Sequence, residues 1–249
     1  MKTYNPALRG NALAKYRGIS GYSEVMTIQG AVNKSLLLIL ILMVSAVWTW
    51  NRFYAGGPQA ILPFVIIGLI GGLITALVTI LKNNWAAATA PVYAVFEGLV
   101  IGGVSSLCEA AYPGIAFQAV VLTIGTLVVL LFAYKTGLVR ATEKFKSGVI
   151  AATGGVFLIY MVSMVLGLFN IRIPFLFSGV IGAGFSLVVT AIAALNLVLD
   201  FDLIEQSVKA RAPKFMEWYG AFALLVTLVW LYLEILRLLQ ILREIASGD

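Results

Sequence analysis

Five carboxylates fall inside or at the edge of long apolar stretches: Glu97, Asp200, Asp202, Glu205 and Glu234. Lys and Arg are missing from the middle of those stretches, so these acids have no full countercharge at mid-depth. A carboxyl kept from water holds its proton to higher pH, and two that meet share one proton. Such a pair also offers the oxygen ligands that Ca²⁺ prefers. The chemistry open to these residues is therefore proton-sensitive latching and cation binding. Arg237, three residues from Glu234 on the same helical face, is the nearest partner for that acid. The competing reading of each acid is structural: Glu97 as a neutral hydrogen-bonding acid, Glu234 as a partner of Arg237, the others as headgroup-level charges. Glu109, Glu143 and Glu217 read as loop or interface charges.

Other chemistries are absent by composition. There is no His and one Cys, Cys108. A His-based triad, a His-containing zinc site, a CxxC pair and an intrachain disulfide are thereby excluded. No glycine precedes GK[ST], so no phosphate loop is indicated, and no apolar stretch carries a retinal-type Lys or an Arg ladder. The chain is not expected to be an enzyme, to need a resident cofactor or to bind nucleic acid. Ca²⁺ and protons are its expected small partners.

The elements that must position these acids follow from hydropathy. Of 249 residues, 61% are hydrophobic and only 11% charged; mean hydropathy is +1.00. One soluble core could not hide that much apolar surface. Seven apolar stretches run over 35–51, 53–81, 83–108, 110–134, 147–171, 173–199 and 218–236. Each suits a helix, because hydrocarbon cannot satisfy an open backbone. The expected fold is all-α, with seven transmembrane helices over 35–245 after a basic cytoplasmic segment, 1–34. That polar lead is unlike a cleaved signal peptide. Residues 199–218 form the longest inner connection, with room for a short surface helix.

The charge balance of +6 sets topology. With the N-terminus inside, inner segments hold thirteen Lys and Arg against four outside, which places the C-terminus outside. Trp48, Trp50, Trp85 and Trp218 lie near stretch ends as interfacial anchors, and Trp230 is expected between helices. Small residues four apart, at Gly68 and Gly72, Gly98 and Gly102, and Gly179 and Ala183, predict close helix packing.

Several segments carry a family resemblance: 90–103 (APVYAVFEGLVIGG), 195–206 (LNLVLDFDLIEQ) and 230–239 (WLYLEILRLL). The segments 5–11 (NPALRGN) and 26–35 (MTIQGAVNKS) add to it. The chain resembles the Bax inhibitor family, the transmembrane Bax-inhibitor-motif proteins, and within it the bacterial YccA-like branch. The resemblance implies a seven-helix bundle with the last helix central, in a bacterial inner membrane. It implies a pH-sensitive Ca²⁺ leak channel or, alternatively, a modulator of an AAA membrane protease without transport activity. It also implies a latch between Asp200, in VLDFDLI, and Glu234, in LYLEIL, where the family carries two Asp residues. These two are the implied Ca²⁺ ligands, with Asp202 adjacent and Glu97 matching the family's acid before Gly. Here Glu stands for the second Asp. On helix geometry, Asp200 and Glu234 reach one depth only if the sixth helix continues through Asp202–Glu205, or the seventh starts later.

Overall fold

The computed structural model describes residues 25–169 and 178–247. The basic residues Lys2, Arg9, Lys15, Arg17 and Arg172, the segment 5–11 and most of 1–34 lie outside the described residues. The described chain is helical, with one isolated bridge, between Val25 and Pro213. Its helices are α1 (Ile28–Leu81), α2 (Ala86–Ala111), α3 (Ile115–Lys135), α4 (Glu143–Leu168), α5 (Gly179–Lys209) and α6 (Met216–Ser247), with a 3₁₀ turn at Asn83–Trp85.

Six helices among the described residues are long and apolar enough to cross a membrane. They fit an integral membrane protein, whose lipid-facing side chains are apolar. The sequence predicts seven spans; two of these, 35–51 and 53–81, fall in the single 54-residue run α1. That run is interrupted at Gly57, whose φ of 73° and ψ of −171° are not helical. The next residue is Pro58, which supplies no N–H and disfavours helix before it. The stretch 53–81 is long enough for a loop and a span, and the break falls within it at Gly57, not at the charge of Arg52. Arg is a good helix former, and a charge alone does not break a helix; the Gly–Pro pair does. Only glycine adopts this backbone cheaply. Gly57→Ala is expected to cost about 1–3 kcal/mol, because this combination of positive φ with ψ near 180° is essentially closed to residues with a Cβ. Thermal unfolding of the detergent-solubilised protein checks this, and an unchanged midpoint would count against a strained Gly57.

The connection 199–218 also differs from expectation. No separate surface helix forms there: α5 runs on through Asp202 and Glu205 to Lys209. The segment LIEQSVK contains neither Gly nor Pro. Glu205 and Lys209 pair at 2.5 Å one turn apart, and the basic Lys209 sits in the last turn, where the helix dipole favours it. Asp200 thus lies inside α5 rather than at its end. The chain leaves α5 through Arg211, a non-glycine residue at φ 52°. The Ala212 N–H returns to the Ser207 carbonyl at 3.0 Å, closing the helix end.

The chain divides into two compact units. Among the described residues the first holds 25–110 and 200–229, the second 111–169, 178–199 and 230–247. In the first, Met26, Ala31, Leu203, Ala212, Met216 and Tyr219 belong to one buried apolar cluster. The glycine pairs of α2 act there as the spacing predicts. A side chain at Gly98 would run into the Leu42 carbonyl, and one at Gly102 into the Ala46 backbone. Gly68 faces the Phe96 carbonyl and Val100 in the same way. Gly179 does not follow that expectation. It has open space around it and φ +65°, so it serves the start of α5, not helix packing. In the second unit Asn196 on α5 donates to the Thr153 hydroxyl on α4 at 2.8 Å. Half of the apolar window of α6 is buried, against 11% in α4. The last helix is therefore the one most enclosed by protein.

Candidate functional site

In the first unit, α5 presents Asp200 and Asp202 and α2 presents Glu97. Asp202 is buried, at 7% exposure. The Asp200 carboxyl is enclosed, and its side-chain partner is the Thr227 hydroxyl of α6. Its second oxygen, Oδ2, is buried without a hydrogen-bond partner. A buried acceptor left unsatisfied costs free energy, about 1–3 kcal/mol, so its retention asks for a reason. Glu97 is half-buried in the middle of α2. It takes a hydrogen bond from Tyr93, one turn earlier, and its Oε1 would lie 3.2 Å from a Cβ at Gly72 of α1, a tight contact. The Tyr93 ring packs edge-on against Phe222 of α6, with centroids 5.0 Å apart.

In the second unit, Glu234 on α6 meets Tyr160, Arg237 and the Trp230 side chain. Tyr160 of α4 donates its hydroxyl to Oε1 at 2.6 Å. Arg237 donates to the same Tyr160 oxygen at 2.6 Å and stands 3.8 Å from Glu234 Oε2. The guanidinium also lies 5.6 Å from the Tyr160 ring centroid and 5.8 Å from that of Phe185. The partner predicted from three-residue spacing is therefore present, but Tyr160 stands between acid and base. Glu234 Oε2, like Asp200 Oδ2, is buried without a hydrogen-bond partner. Asp200 and Glu234, the two residues of the implied latch, belong to different units.

Glu217 reads from sequence as a structural loop or interface charge; the structure keeps it structural but buries it inside a helix. Glu217, in the first turn of α6, is 0% exposed. Its Oε1 accepts the Thr27 N–H at 2.9 Å and the Thr27 hydroxyl at 3.0 Å. Lys34 hydrogen-bonds and ion-pairs with Oε2, and Lys214 Nζ stands 3.5 Å from Oε1. Thr27 is also the N-cap of α1, accepting from the Gly30 N–H at 2.9 Å. One hydroxyl thus ends a helix and binds a buried acid. Any side chain at Gly30 would overlap the Glu217 carboxylate. No local signal links residues 27–34 to 217, which are joined only by folding. Tyr160 and Thr227 were missed for the same reason: a Tyr or Thr in an apolar stretch looks like packing until its neighbour is known.

Among the described residues no three acidic or Cys side chains converge as a metal cage. The arrangement instead offers two buried carboxyl oxygens without a hydrogen-bond partner, Asp200 Oδ2 in the first unit and Glu234 Oε2 in the second. A family model described as Bax inhibitor 1 like matches residues 5–244. No curated protein matches the chain, and no solved structure does.

Proposed function

We propose, from the premise that the chain belongs to the Bax inhibitor 1 like family, that it is a pH-sensitive cation leak channel with Ca²⁺ as cargo. Its gate is the set of intramembrane carboxyls Asp200, Glu234, Glu97 and Asp202. It belongs to the bacterial YccA-like branch, has no catalytic activity of its own and sits in a bacterial inner membrane. On this reading α1 makes two spans, parted at Gly57. At 1.5 Å per residue its 54 residues extend about 80 Å, against a hydrocarbon core of about 30 Å. Seven spans with α6 at the centre then put the N-terminus inside and the C-terminus outside, as the basic residues favour.

The observation that carries the proposal is the unpartnered, buried Oδ2 of Asp200. In hydrocarbon surroundings such an oxygen is satisfied by a proton on its own carboxyl or by a cation beside it. Alternation between those two states couples proton concentration to cation occupancy. In liposomes holding the purified protein, Ca²⁺ efflux is expected to vary with pH, and Asp200→Asn is expected to flatten that dependence. The amide keeps the shape of the acid and cannot ionise. Efflux with the same pH profile in wild type and variant would remove Asp200 from the gate. No efflux at any pH would remove the channel reading.

A further inference from the structure

We propose that the apolar groove between the first half of α1 and α2, whose Trp48 carries the Arg52 guanidinium over its ring, is a binding site for an anionic glycerophospholipid. One acyl chain lies along Leu40, Val44 and Trp48, with the phosphate on the Arg52 guanidinium. The groove is lined by Leu40, Ile41, Val44, Trp48, Val95 and Leu99, with Ser45 at its floor. Leu40, Val44, Trp48 and Arg52 are four residues apart, so they follow one face of the helix. From Leu40 to Arg52 the helix rises about 18 Å. Half of the hydrocarbon core is about 15 Å, so this stripe spans one leaflet and ends at headgroup level. A chain lying against it would bring its own phosphate to Arg52.

Three observations mark the groove as built. Its depth comes from glycine: Gly98 and Gly102 let α2 approach the α1 backbone at Leu42 and Ala46, leaving Val95 and Leu99 as the far wall. Its floor is dry, because the Ser45 hydroxyl, the polar side chain in the lining, donates to the Val95 carbonyl at 2.7 Å. Its polar end is oriented. The Trp48 indole packs edge-on to Phe64 at 4.7 Å between centroids, and the Arg52 guanidinium lies over the same indole at 5.2 Å. A guanidinium stacked on an aromatic face keeps its N–H edge free for a planar, bidentate phosphate contact. Leu40 at 59% and Val44 at 73% exposure are open to a ligand from the membrane. Charge selects the occupant: a cation beside a neutral apolar groove favours a net-negative headgroup over a zwitterionic one.

The test is native mass spectrometry of the full chain in detergent, titrated with phosphatidylglycerol or phosphatidylcholine of identical acyl chains. Wild type is expected to retain phosphatidylglycerol preferentially. Arg52→Gln is expected to lower that retention about fivefold, the value of one interfacial cation, and to leave phosphatidylcholine unchanged. Arg52→Lys, which keeps the charge, is expected to retain most of the preference. Val44→Trp, which fills the groove from an exposed position, is expected to lower retention of both lipids. Equal retention of the two lipids by wild type would overturn the proposal. So would phosphatidylglycerol binding unaffected by either Arg52→Gln or Val44→Trp.

Discussion

Glu217→Ala is expected to destabilise the protein by about 3–5 kcal/mol, the usual result of removing one partner from a buried ion pair. The Glu217 side chain is fully enclosed, and the Lys34 side chain that it holds is only 19% exposed. Without Glu217 that ammonium is left partly buried with its main anion gone, and the Thr27 N–H and hydroxyl lose a shared acceptor. The cavity cannot simply close, because Gly30 contributes no side chain to fill it. The loss also loosens the start of α1, since Thr27 is both the helix cap and a Glu217 donor. Glu217→Gln is expected to fall between the two, keeping an acceptor for Thr27 while losing the ion pair. Lys209→Ala is the control. Its pair with Glu205 is exposed, with side chains at 63% and 36%, and such i,i+4 pairs are worth about 0.3–0.5 kcal/mol. Thermal unfolding in detergent should separate the variants clearly. If Glu217→Ala melts with Lys209→Ala, the cluster at Glu217 does not hold the fold.

Gly102→Ala is expected to have the second large effect, and its sign is the informative part. Within a helix, replacing Gly by Ala ordinarily stabilises by about 1 kcal/mol through propensity. At Gly102 the added carbon would occupy the space of the Ala46 carbonyl, a backbone group that cannot rotate away. The two helices must part along the whole contact, because Gly98, one turn earlier, rests on the Leu42 carbonyl. Overpacking of this kind costs about 1–3 kcal/mol, which exceeds the propensity gain. Gly125 of α3 has nothing within 4 Å of such a carbon, so Gly125→Ala should show the gain alone. Opposite shifts in melting temperature are expected for the two substitutions. Shifts of the same sign would mean that the α1–α2 contact yields where it is described as closed. The same displacement would widen the groove over Ser45, so Gly102→Ala also reports on the lipid site.

Much of this architecture is legible in the sequence because hydrocarbon imposes simple rules. A long uncharged run must be helical, so the helices over 83–108, 110–134 and 147–171 fall close to where α2, α3 and α4 lie. Where the boundaries differ, the sequence reading uses charge as the marker. Arg52 lies inside α1, and Asp200 and Asp202 lie inside α5. Charge sets depth and orientation; Gly57, Pro58 and the left-handed Arg211 decide where the helix stops.

The acids show the same division. Composition alone determined that proton chemistry here has to run on carboxyls, since the chain has no His. Spacing alone brought Arg237 near Glu234, because helix geometry is local. Only the tertiary structure decided that Tyr160 stands between those two, that Thr227 faces Asp200 and that Glu217 is a buried anchor. The physical reason is range. Hydropathy and helical spacing act within a few turns of one helix, whereas the partner of a buried polar group is set by helix–helix packing. Residues 34 and 217 are joined by that packing, and nothing in either neighbourhood of the chain encodes the other.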